Sequence, residues 1–114
     1  MPTGFYRYIS SPGEVTQIVD QRKVHSTNAY TRHATWYTPT RFDIPADAQR
    51  ELALPSAPTH RVGPISAAEM PSFAIGLRVV APAFGSPGGG VEAYTYDPVW
   101  LPGLWEFAHH AWEW

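Results

Sequence analysis

Cysteine is absent from the 114 residues. That excludes disulfides, thiolate zinc sites and a thiol nucleophile, and it suits a reducing cytosol or passage across an envelope. Charge is scarce: 16% of residues are charged and the net charge is −2, below the usual quarter for a soluble domain. No Lys/Arg run occurs, so the basic footprint that a nucleic-acid backbone requires is missing and nucleic acid is not an expected partner. No apolar run approaches the roughly 18 residues of a membrane span, and no membrane partner is expected. Met1-Pro2-Thr3-Gly4 lacks the basic-then-apolar pattern of a secretory leader. GxGxxG, P-loop, HExxH and GxSxG motifs are all absent. His25 and His33 have no third ligand at a metal-binding spacing, so no metal is expected.

What the chain has in quantity is apolar and chain-breaking residues. It is 44% hydrophobic and 14% aromatic, with 12 prolines and 9 glycines. One core can form without staples, and the frequent breaks favour short strands and irregular loops over a helical bundle. The length corresponds to a single domain over residues 1–114, with 109–114 as a tail outside the core.

Phe5–Ile9 reads as an aromatic strand. Ser11-Pro12-Gly13-Glu14 reads as a capping box, with Ser11 as the cap and Glu14 reaching back. The helix behind it should run to Arg22 or Lys23, with Val15, Ile18 and Val19 as its buried stripe. Ala34–Thr38 is a second strand ended by Pro39, with Trp36 in the core. A second helix should start near Ile44-Pro45, with Asp43 as a cap candidate, and stop before Pro55. Thr59–Val62 reads as a short edge strand. Ser72–Val80 alternates with apolar residues on both faces and reads as a central strand. Val91–Tyr96 follows the Gly88-Gly89-Gly90 loop as the last clear strand. The tail from Trp105 is either a short aromatic helix or an added end. The sum is an α+β domain of about five short strands, two short helices and long loops.

Two residues stand out chemically. Arg7 sits inside an aromatic strand, where a cation is costly to bury without a partner. It is either paired with a helix carboxylate or aimed into a cleft as a bidentate clamp for phosphate. Glu92 directly follows a glycine run. It is either an exposed strand charge or a carboxylate brought to a ligand by backbone that passes close because no Cβ intervenes. A carboxylate there could favour an oxocarbenium-like transition state on a sugar. Tyr37 or Thr38 could line a pocket beside them. His60 and Arg61 stand beside a rigid Gly63-Pro64 turn, for which a surface role is the default.

The order of these segments resembles a known group. It runs from the Tyr6-Arg7 strand and the Ser-Pro-Gly-Glu helix start through Thr35-Trp36-Tyr37-Thr38 and a helix ending Leu52-Ala53-Leu54-Pro55. Arg61-Val62-Gly63-Pro64-Ile65 and Pro87-Gly88-Gly89-Gly90-Val91-Glu92 complete it. Over roughly residues 5–105 this is similar to the ADP-ribosyltransferase-like C-terminal toxin domains of bacterial polymorphic toxins. The resemblance implies a split two-sheet core with NAD, as co-substrate, in the cleft between the sheets. It implies transfer of ADP-ribose to a protein of the target cell with release of nicotinamide. The domain would then be a secreted or delivered effector acting in the target-cell cytoplasm, with an immunity protein as a second partner. Arg7 would match the first-strand arginine that contacts NAD, Tyr37 and Thr38 the second motif, with Trp36 beside them, and Glu92 the catalytic glutamate. A clear Ser-Thr-Ser second motif and a paired Glu-x-Glu are missing, since Gly90 stands two before Glu92.

Three alternatives remain open on the residues alone. Water in place of a protein acceptor gives an NAD glycohydrolase. A small ribonuclease could draw on His33, His60, Arg61 and Glu92, against the low positive charge. A non-catalytic interaction module could use the 5 tryptophans, which cluster late in the chain.

Overall fold

Residues 4–10, 12–21, 23, 24, 35–66, 77–95, 99, 100 and 107–109 are described by the computed structural model. The chain order is β1 (Gly4–Ile9), α1 (Pro12–Gln21), β2 (Lys23–Val24), β3 (Thr35–Tyr37), α2 (Pro45–Glu51) and β4 (His60–Ser66). It continues through β5 (Arg78–Val79), β6 (Val91–Thr95), β7 (Val99–Trp100) and β8 (Phe107–His109). The domain is α+β, as its composition implies.

Apart from Arg7, strand β1 presents apolar or aromatic side chains on both sides, and each side seeds its own cluster. Alternation sends Phe5 and Ile9 one way and Tyr6 and Tyr8 the other. Phe5 and Ile9 pack with Ile18 of α1 and with Val24, Tyr37, Val62 and Ile65. Tyr6 and Tyr8 pack with Phe42, Ala48 of α2, Leu52 and Leu54. Each aliphatic side chain fully buried here contributes about 1.5–3 kcal/mol. Strand β1 is therefore the shared wall of both halves of the core.

All strand pairs are antiparallel, in the orders β1-β4-β8, β3-β6-β5 and β2-β7. The two three-stranded sheets meet edge to edge at one point. Tyr6 N–H donates to the Thr38 carbonyl at 2.7 Å, and Thr38 N–H donates to the Tyr6 carbonyl at 2.8 Å. Neighbouring residues of a strand offer their bonding groups to opposite edges. Phe5 and Arg7 are thus taken by β4, opposite Ile65 and Val62, and Tyr6 is left for β3. A register shift in that ladder sets Gly63 and Pro64 across from Tyr6.

Helix α2 has Ile44 at its N-cap with no side-chain cap bond, and Pro45 in its first turn. Asp43 does not serve as the cap; its carboxylate faces Arg41 at 3.4 Å and Arg61 at 3.8 Å. The other end of α2 is closed by the glycine loop. Gly88 N–H donates to the Arg50 carbonyl at 3.1 Å and Gly90 N–H to the Glu51 carbonyl at 2.9 Å. These are carbonyls that a helix end leaves without an internal partner. Gly88 has φ +70°, and a Cβ on it would lie 2.5 Å from the Val80 carbonyl oxygen; one on Gly90 would lie 2.9 Å from that of Glu51. The glycines are needed because backbone approaches backbone.

Several elements differ from the sequence expectation. Strand β4 is longer than expected and lies between β1 and β8, so it is central rather than an edge. Strand β5 is the outer strand of its sheet, with Leu77 and Val79 exposed; its expected beginning, 72–76, lies outside the described residues. Backbone at Phe107–His109 forms a strand on β4, not a helix. Helix α1 ends at Gln21. Ser11, Arg22, Ala34 and the whole of 25–33 lie outside the described residues, as do 67–76, 96–98, 101–106 and 110–114.

Gly90→Ala should lower stability by about 1–3 kcal/mol, because the new methyl must displace the end of α2 or the loop. Urea titration of the wild type and the variant measures this. An unchanged midpoint would mean that the loop does not rest on the helix.

Candidate functional site

Arg7 is nearly buried, and its guanidinium is fully committed. Nε donates to Glu14 Oε2 at 3.0 Å, and Nη2 donates to both carboxylate oxygens at 2.8 and 2.7 Å. Nη1 donates to the Trp36 backbone carbonyl at 3.1 Å. Of the two readings open to Arg7, pairing with a helix carboxylate is the one observed. Both oxygens of Glu14 go to this arginine. The ion pair fastens α1 to β1, and the carbonyl contact adds β3. Side-chain exposures of 11% for Arg7 and 18% for Glu14 mean that little solvent screens it.

Tyr37 lies on the same side. It is 2% exposed and packs with Ile18 and Val62, so Tyr37 rather than Trp36 is the core residue of β3. Its hydroxyl is buried and has no hydrogen-bond partner among the described residues. Burial pushes the phenol well above its ordinary range, with the Glu14 charge adding to the rise and the Arg7 cation opposing it. Thr38 is also buried. Its hydroxyl accepts from the Thr40 N–H at 3.2 Å, which holds a local turn.

Glu92 stands on the other side. The β3–β6 register pairs Trp36 with Tyr94 and Tyr37 with Ala93, and β5 pairs Arg78 with Glu92. Alternation along β6 therefore places Glu92 and Tyr94 on one face and Ala93 on the face of Tyr37. Arg7, opposite Val62 and beside Tyr37, belongs to the face that α1 covers. Arg7 and Glu92 thus occupy opposite faces, and the expectation that they line one groove is corrected by the strand register.

Glu92 has different neighbours. Arg78 Nε donates to Glu92 Oε1 at 3.3 Å. The Arg78 guanidinium carbon lies 5.0 Å from the Trp36 ring centroid and 5.9 Å from that of Tyr94. The two rings are themselves 4.6 Å apart at 48°. Cation–π contact in this range orients a guanidinium at modest energy. Side-chain exposure is 58% for Arg78 and 15% for Glu92. The carboxylate is recessed and the cation above it is open to solvent. Arg78, Glu92, Trp36 and Tyr94 form the one cluster, among the described residues, that joins a recessed carboxylate, an accessible cation and aromatic faces.

Sequence reasoning reached Glu92 and Trp36 but not Arg78 or Tyr94. Tyr94 was signalled, since it follows Glu92 by two in a strand and must share its face. Arg78 needed the β5–β6 register, which no local pattern supplies.

The other candidates fall elsewhere. Arg61 is fully buried, not a surface residue; its Nη1 donates to the Phe42 carbonyl at 3.1 Å. The Tyr8 hydroxyl accepts from the Phe42 N–H at 2.6 Å and donates to the Thr40 carbonyl at 3.2 Å. His60 Nδ1 lies 3.0 Å from the Thr59 hydroxyl. His25 and His33 lie outside the described residues. Among the described residues no group of three metal-ligating side chains occurs, and no helix is long and apolar enough to cross a membrane.

Compared with protein-family models, with curated proteins and with solved structures, the chain has no match.

Glu14→Gln should cost about 3 kcal/mol, since it leaves a nearly buried guanidinium without counter-charge. A melting temperature lowered by roughly 10 °C is the expected reading, and an unchanged one refutes the structural role of the pair. Alkali supplies an independent check. Burial pushes Tyr8 up to about 12 from its ordinary 10.0, against the lowering effects of the Phe42 N–H and the Arg61 charge. Tyr37 moves in the same direction. A phenol raised in the fold stabilises the native state fully below the unfolded value. That contribution is lost as pH rises from 10 through the folded value. Unfolding should therefore set in above about pH 10, with part of the phenolate absorbance appearing only together with loss of near-UV circular dichroism.

Proposed function

We propose that this domain consumes NAD and transfers its ADP-ribosyl group to a protein of a target cell, as a bacterial toxin-type effector. The observation that carries the reading is the cluster around Glu92: a recessed carboxylate at the head of a central strand, flanked by an accessible guanidinium and an aromatic pair. The resemblance of the segment order to polymorphic-toxin ADP-ribosyltransferases supports the same reading.

The residue types fit such a co-substrate. A dinucleotide offers flat rings, ribose hydroxyls and a pyrophosphate, and the cluster offers aromatic faces, a carboxylate acceptor and a cation. When bound, NAD supplies an ADP-ribosyl group whose bond to nicotinamide breaks with the electron pair leaving on the nicotinamide ring.

The chain's own residues have distinct parts. Glu92 opposes the positive charge that develops on the ribose, and a carboxylate so recessed acts with little screening. It also accepts a hydrogen bond from a ribose hydroxyl or from the incoming nucleophile. Trp36 and Tyr94 hold the Arg78 guanidinium that bonds it. Arg7, Tyr37 and Thr38 act on the site only through the frame, by fixing β1, β3 and α1. Partners follow from the reading: an acceptor protein in the target-cell cytoplasm, and an immunity protein that blocks the site in the producing cell.

Glu92→Gln keeps the size of the side chain and removes its charge. It should reduce nicotinamide release by about 10²- to 10³-fold, with an unchanged melting temperature. Incubation with NAD and cell lysate, followed by mass spectrometry, reads both the released nicotinamide and the gain of one ADP-ribosyl group on an acceptor. Nicotinamide without a mass gain would make the domain an NAD glycohydrolase. No nicotinamide from the wild type, or full turnover in Glu92→Gln, overturns the reading.

A further inference from the structure

We infer that Arg78, not Arg7, is the arginine of this site that receives the anionic part of the substrate, the diphosphate of a nucleotide. The inference rests on the functional reading above for its link to turnover, and on geometry alone for the anion.

A guanidinium has two hydrogen-bonding edges. In Arg7 all three nitrogens are already donating, to Glu14 and to the Trp36 carbonyl, and the side chain is nearly buried. Recruiting it would mean breaking an ion pair and lifting α1. Arg61 is fully buried. Arg50 is held by Asp47 and Glu51, and Arg41 by Asp43. Arg78 differs. Its Nε is engaged by Glu92, while Nη1 and Nη2 make no hydrogen bond among the described residues, and more than half of the side chain is open to solvent.

Free donors on a floppy side chain would mean little. Here the guanidinium is held at two places, by the carboxylate at Nε and by the Trp36 and Tyr94 rings beneath it. Little rotamer entropy remains to be lost when an anion arrives. The fork that remains matches two oxygens of a phosphate in a planar, bidentate contact. The same contact orders the ligand relative to the carboxylate, because one guanidinium touches both. An anion on the Nη edge leaves the adjoining sugar within reach of Glu92, on the Nε edge. Substrates lacking the diphosphate would lose this alignment.

The test combines kinetics with binding of ADP, a nucleoside diphosphate that cannot react. Arg78→Ala should raise the KM for NAD about 10- to 100-fold and weaken ADP binding, read by calorimetry, by a similar factor. Arg78→Lys should recover part of both, since it restores the charge without the fork. Arg41→Ala, at an exposed arginine whose partner is Asp43 rather than Glu92, should leave both unchanged. Wild-type turnover with an Arg78→Ala KM and ADP affinity within about two-fold of the wild type overturns the inference and leaves the functional reading standing. A fall in kcat alone would also overturn it, because Arg78 would then only orient Glu92. If the wild type releases no nicotinamide, the functional reading fails by itself. Loss of ADP binding in Arg78→Ala still supports the anion site, and absence of ADP binding by the wild type refutes it.

Discussion

A guanidinium that is almost out of water must have a counter-charge within reach, and the Arg7–Glu14 pair meets that requirement for this fold. Its consequences spread outward. Because Glu14 lies in the first turn of α1, the helix is fixed on one face of β1. Because the remaining nitrogen takes a carbonyl of β3, the second sheet is held in line with the first beside the Tyr6–Thr38 contact. One face of the joined sheets is thereby closed, with Ile18, Tyr37 and Val62 packed on the same side as the ion pair. The Glu92–Arg78 pair lies on the opposite face, whose β1 part is filled by Tyr6, Tyr8 and Phe42.

Trp36, Arg78, Glu92 and Tyr94 all stand on strands rather than loops, which fixes their mutual geometry. Glu92 is two residues past the point where Gly90 docks on the end of α2. The helix end, the glycine loop and the head of β6 form one mechanical unit. Displacing any of them moves the carboxylate. The glycines are used for a helix end and not for a ligand, yet they still place Glu92, through the fold.

The sequence made some of this legible and hid the rest for identifiable reasons. Local patterns were sufficient for β1, for α1 from Pro12, for α2 from Pro45 and for β6, since each carries its own periodicity or start signal. Ala48 was legible as the buried face of α2. The apolar alternation before Val80 suggested a central strand, but only pairing reveals that β5 is outermost. The partner of Arg7 was one of two readings, and nothing local could choose between a helix carboxylate and a ligand. The faces of Arg7 and Glu92 depend on two ladders and one isolated bridge, all non-local. Trp36 and Tyr37 were assigned to the wrong sides because a neighbouring pair of aromatics gives no phase by itself. Asp43 had the right chemistry for a cap, but the extended backbone at Ile44 takes that place.

The pairing of β8 with β4 carries a consequence for biosynthesis. β4 is a middle strand, and one of its two neighbours is residues 107–109. β7, from residues 99 and 100, likewise completes the ribbon begun by β2. Both pairings join parts of the chain far apart in order, and such contacts form late. Residues 99 and 100 must therefore have left the ribosome before β2 gains its partner, and residues 107–109 before the open edge of β4 is covered.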